Sequence, residues 1–132
     1  MTIERAFLWF AEGVMLAAFA CFVQGFRVRK TDRARHMRLG KLGALLVFAG
    51  LIAVEVFLRV FGWKFPIRDV GFMGWSALAW HIAVASVALT LLIALVWTGI
   101  RGPRAVHVKL YPFFFPLYAA TIVLSFVAFE LW

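Results

Sequence analysis

The 132-residue sequence is short of acidic side chains, with six Asp and Glu against fourteen Lys and Arg, and it has one cysteine, Cys21. A single thiol excludes an internal disulfide framework and a paired-thiol metal motif. There is no Gly-rich phosphate loop, no nucleophile elbow and no histidine pair at zinc-protease spacing, so no part reads as a soluble catalytic domain. Charged residues of both signs make up only 15% of the chain. A water-soluble domain of this size would then expose more apolar surface than folded monomers carry.

What the chain has instead is apolar bulk, 65% hydrophobic residues with a mean hydropathy of +0.96. Four runs, near Ala6–Phe26, Leu42–Phe61, Trp75–Ile100 and Leu110–Leu131, reach the roughly 20 residues a helix needs to cross a hydrocarbon core of about 30 Å. They predict an all-α integral membrane protein, one domain built as an antiparallel four-helix bundle. The first run follows Met1-Thr-Ile-Glu-Arg5 without a basic leader and ends in Arg27-Val-Arg-Lys30. That reads as a retained helix, because a cleaved signal peptide ends at small residues.

The net charge of +8 is concentrated. Arg27, Arg29, Lys30, Arg33, Arg35, Arg38 and Lys41 lie between the first two runs, and Arg101, Arg104 and Lys109 between the last two. By the positive-inside rule both loops face the cytoplasm, which puts both termini outside a bacterial inner (cytoplasmic) membrane. The loops are read as orienting the chain and meeting anionic membrane lipids, and nucleic acid is excluded as a partner. The outer loop Gly62–Gly71 carries the Trp, Pro and Gly of an interfacial turn. Trp63, Trp75, Trp80 and Trp132 form an outer aromatic belt. Gly40 and Gly43 permit close helix approach, and Pro112 and Pro116 predict a kink or late start in the fourth helix.

Ionisable groups inside a bilayer are costly, from about 2.5 kcal/mol upward on insertion scales, and normally face the bundle interior. Glu12, Glu55 and His81 all fall roughly 10 Å below the outer surface at 1.5 Å per residue. His81 shares a stripe with Gly74, Ala77, Ala85 and Ala88, whose small side chains favour close packing, so it is expected to point towards Glu12 and Glu55. Two readings stand side by side. Either His81, Glu12 and Glu55 bind a transition metal such as copper or relay protons, or Glu55 pairs with Arg59 while His81 hydrogen-bonds Glu12 and staples the helices.

A second layer lies at the cytoplasmic face, with His36 before helix two and His107 before helix four. As a bis-imidazole pair they could ligate haem iron, with Phe113, Phe114 and Phe115 on the macrocycle and arginines on the propionates. Otherwise they are interfacial histidines beside lipid phosphates. His81, roughly 20 Å away by helix rise, cannot join them.

The order Arg35-His36-Met37, Trp80-His81-Ile82-Ala83, then His107-Val108-Lys109 leading to Pro116-Leu117-Tyr118 resembles the small four-helix membrane proteins of the CtaM/YozB family, over about residues 8–132. The resemblance implies a non-catalytic role in maturing haem-copper terminal oxidases, with oxidase subunits as partners and His36, His81 and His107 as the carried-over positions. It departs from the family at Phe115-Pro116-Leu117-Tyr118, which lacks the usual tryptophan, and in having no proline after His81 in helix three. No histidine ends helix two either. The alternative is a small accessory or haem-carrying electron-transfer subunit of a larger respiratory or photosynthetic membrane complex.

Overall fold

Good helix formers fill the basic segment after the first run, and Asp32 precedes them as a helix cap. The chain becomes helical there, well before its apolar run begins. The computed structural model, which describes residues 1–129, has α1 (Ile3–Val28), α2 (Arg33–Arg59), α3 (Ala77–Ile100) and α4 (Arg104–Ala128), with a two-strand ribbon of β1 (Gly71–Phe72) and β2 (Trp75–Ser76) before α3. All four helices are long and apolar enough to cross a membrane, so the fold is all-α and multi-pass. The starts of the second and fourth helices differ most from expectation. Helix two starts at Arg33, not Leu42, because the Asp32 carboxylate accepts the Arg35 backbone N–H at 2.9 Å and starts the helix within polar sequence.

Helix four likewise starts at Arg104, not Leu110, and runs through Pro112 and Pro116, so the proposed late start does not occur. Each proline removes one donor, and the helix continues on both sides of them. The fourth helix ends at Ala128; the rest of its expected span and Trp132 lie outside the described residues.

The contacts divide the chain into two units, Met1–Pro66 and the part from Ile67 onward. In the first, α1 packs along α2. Ala11, Ala18, Phe22 and Gly25 are buried on α1, and Gly43, Ala44, Val47 and Gly50 on α2. A Cβ on Gly43 would stand 2.6 Å from the Phe22 ring, so the ring lies on bare backbone there. Gly40 has no atom of the described residues beyond its own stretch of helix within 4 Å of where a Cβ would be. At the far end Phe57 stacks on Trp63 with centroids 4.4 Å apart, and Phe7 adds contacts to both and to buried Phe65.

In the second unit α3 packs along α4. Ala77, Ala88, Leu92 and Leu95 are buried on α3, and Phe114, Tyr118, Ser125 and Ala128 on α4. The segment from Ile67 folds back on this pair, since Arg68 N–H donates to Ala128 O at 2.8 Å and Ile67 bridges Phe129. The ribbon turns at Met73 and Gly74 with φ of 54° and 79°, the doubly positive combination of the tightest hairpins. Phe72 stacks on Trp80 at 5.2 Å, Trp75 lies 5.1 Å from the same ring, and the Trp80 indole N–H donates to Phe72 O at 3.1 Å. These residues occupy the end of the unit away from the α3–α4 turn. Trp75 belongs to the ribbon, and helix three starts at Ala77 after the Ser76 cap.

Candidate functional site

All three histidines are helical, and each reaches across its own helix pair. His36 is the fourth residue of α2, and its Nδ1 lies 2.9 Å from Gly25 O in α1. His107 is the fourth residue of α4, and its Nδ1 lies 3.0 Å from Leu95 O in α3. His81, in the second turn of α3, places Nδ1 3.1 Å from Thr121 O in α4. A carbonyl only accepts, so in each ring Nδ1 carries the hydrogen. The placement of His36 and His107 before their helices is thereby corrected: both sit inside early helical turns, because α2 and α4 extend beyond their apolar spans.

His107 is the most fully engaged. The Thr98 hydroxyl, which donates to Ala94 O at 2.7 Å, also lies 3.1 Å from His107 Nδ1. On the other side Nε2 accepts the Tyr111 hydroxyl at 3.2 Å, and Tyr111 in turn stacks on Phe115. This leaves His107 a polar cross-brace between α3 and α4. His81 differs, for its ring meets Phe129 edge-on at 5.8 Å while its Nε2 has no hydrogen-bond partner among the described residues of its own unit.

The carboxylates take separate places. Glu55 pairs with Arg59 one turn along α2, with a side chain 56% exposed. Glu12 is half-buried on α1. Among the described residues no group of three or more His, Cys, Asp or Glu stands together as a metal site. The bond of His81 runs to a backbone carbonyl of α4.

The sequence also carries an internal repeat around two of the histidines. Arg33-Ala-Arg-His36-Met-Arg38-Leu39 and Arg104-Ala-Val-His107-Val-Lys109-Leu110 share Arg, Ala, His, a basic residue and Leu in register, and each follows a Gly-x-Arg, Gly25-Phe-Arg27 or Gly99-Ile-Arg101. The structure repeats with it. In each unit the imidazole comes from the fourth residue of the second helix, and its acceptor is the last residue of a buried stripe, Ala18-Phe22-Gly25 or Ala88-Leu92-Leu95. The acceptors themselves are backbone atoms and leave no mark in the sequence; Tyr111, one turn after His107, could have been found by helix spacing.

In comparison with known proteins, no family model, no curated protein and no solved structure matches the chain.

Proposed function

We propose that this multi-pass membrane protein is a non-catalytic factor supporting maturation of a haem-copper terminal oxidase in the bacterial cytoplasmic membrane, its helix turns facing the cytoplasm and both termini outside. The oxidase partner is supported by the family resemblance at His36, His81 and His107, and the orientation by the basic turns. The observation that carries a cargo role is the His81 imidazole. Metal-bound histidines donate their second ring N–H to a carbonyl or carboxylate, which fixes the tautomer and raises the basicity of the ligating nitrogen. His81 has that second half of the arrangement, with Nδ1–H on Thr121 O and the lone pair on Nε2.

One imidazole supplies one donor. Haem iron or copper would be cargo, with its remaining ligands supplied by the partner that brings or receives it. The chain's own part is to orient the ring: Thr121 O holds Nδ1–H, and Phe129 flanks the ring edge. Contact with oxidase subunits would use the outward helix faces, since only 22% of the span residues in α1 and α2 and 17% in α3 and α4 are buried.

The test is a reduced-minus-oxidised spectrum, with oxidase activity, of membranes from a deletion strain and its complemented parent. Lost activity with oxidase subunits still present is expected. An unchanged oxidase would sink the proposal, and stoichiometric haem on the purified protein would favour an accessory electron-transfer subunit.

A further inference from the structure

The turn of the first unit carries six exposed cations, Arg27, Lys30, Arg33, Arg35, Arg38 and Lys41. The only acid in this stretch, Asp32, caps α2, and none of the six forms an ion pair among the described residues. Arg29 is used differently: its guanidinium lies 3.6 Å over the Phe26 ring and donates to Phe26 O at 2.7 Å. It closes the end of α1.

The four cations on α2 spread over an arc of about 200° that leaves out the contact with α1. His36 and Leu39 face Gly25 of α1, and Gly43 lies under Phe22. At about 100° per residue, Arg33, Arg35, Arg38 and Lys41 cover the arc opposite that contact. Arg33 and Arg35 also occupy the first turn, where the positive end of the helix dipole makes cations unfavourable. An external anion would relieve both the crowding and the dipole.

Position identifies the anion. The apolar run of α2 begins at Leu42, so Lys41 and Arg38 lie within about 6 Å of it along the axis at 1.5 Å per residue. That matches the headgroup layer, about 5–8 Å thick on each side of the hydrocarbon core. Arg33 and Arg35 lie farther out and reach back with long side chains. The second unit repeats three of these positions, Arg101 for Arg27, Arg104 for Arg33 and Lys109 for Arg38, all exposed.

We infer that each helix turn is a headgroup-binding surface for anionic phospholipids, and that the first, with its added Lys30, Arg35 and Lys41, is the stronger. The recognised feature is the unbalanced negative charge of the headgroup phosphate, which the choline cation cancels in a zwitterionic lipid. This inference uses neither His81 nor the oxidase reading.

The experiment counts phospholipid retained by the full-length, detergent-purified protein when dioleoylphosphatidylglycerol competes with dioleoylphosphatidylcholine. The wild type is expected to prefer the anionic lipid by about tenfold or more, since each basic residue near an anionic surface adds favourable energy. The preference should collapse as salt rises from about 0.1 M to about 1 M and the Debye length shortens from about 10 Å to about 3 Å. Combined Arg33→Gln, Arg35→Gln, Arg38→Gln and Lys41→Gln should remove most of it. Lysine in place of the three arginines should retain it, and circular dichroism checks that both variants are folded. Equal retention of the two lipids by the wild type, or an undiminished preference in the glutamine variant, overturns the inference. So does displacement of the lipid by inorganic phosphate, which would make the surface a site for free phosphate.

Discussion

His81 Nδ1 lies 3.1 Å from the carbonyl oxygen of Thr121, forty residues along the chain. The bond joins α3 to α4 and sets which ring nitrogen keeps its lone pair. Asparagine places an amide nitrogen near the position of Nδ1 but has nothing at Nε2. His81→Asn is therefore expected to melt within a few degrees of wild type, and His81→Ala to lose about 1 kcal/mol, the scale of interhelical polar contacts in membranes. If Nε2 meets cargo, both variants fail to support oxidase maturation. A fully functional His81→Asn would leave the residue a structural staple alone.

The His107 brace should show coupling. Tyr111→Phe removes one hydrogen bond and is expected to cost about 0.5–1.5 kcal/mol in denaturant unfolding. His107→Ala removes the same bond together with those to Leu95 O and Thr98, and should cost more. In the double variant the two losses should not add, because the Tyr111 bond can be lost only once. Strict additivity would show that the hydroxyl does not rest on the imidazole.

Gly43→Ala puts a methyl group 2.6 Å from the Phe22 ring. The expected loss is about 1–3 kcal/mol from overpacking, recovered in part by Phe22→Leu. Gly40→Ala, with open space at its Cβ, should be neutral or stabilising by up to about 1 kcal/mol through helix propensity. Thermal unfolding in detergent distinguishes the two sites; equal effects would contradict the packing described.

Met73 holds φ of 54° at the tip of the ribbon, where the residue is 82% exposed. Left-handed backbone costs an ordinary residue roughly 1–2 kcal/mol, and asparagine less. Met73→Asn should slow proteolytic cleavage within 70–76 and lower amide exchange at the ribbon. Faster cleavage would mean that the thioether holds the turn by contact.

Much of the helical frame was legible because apolar runs of this length have one outcome in a bilayer. The ends of α2 and α4 were not, since hydropathy marks where a chain enters hydrocarbon and says nothing about where its helix begins. Asp32 as a cap and the helix-forming Arg33–Leu39 stretch held that information. The layer of Glu12, Glu55 and His81 was argued from depth, with a direction around the axis taken only for His81, from its stripe of small residues. Depth is only one coordinate of a helical residue, and direction around the axis decides its contacts: Glu55 turns to Arg59 and His81 to Thr121. The expected Glu55–Arg59 pair was readable because both groups lie on one helix, one turn apart. The acceptors of the histidines were not, because any residue can supply a carbonyl.

The paired histidine clamps also bear on what each hairpin needs from the other. The His36–Gly25 bond and the Phe7–Phe57–Trp63 cluster both involve residues that precede Pro66. The first helix pair therefore holds both partners of these cross-helix contacts within Met1–Pro66 and needs no residue of the second pair to make them. The later pair brings its own counterpart, His107 on Leu95 O. Each hairpin thus carries its own polar fastening, and a lesion in the second pair is expected to leave the His36–Gly25 contact of the first in place.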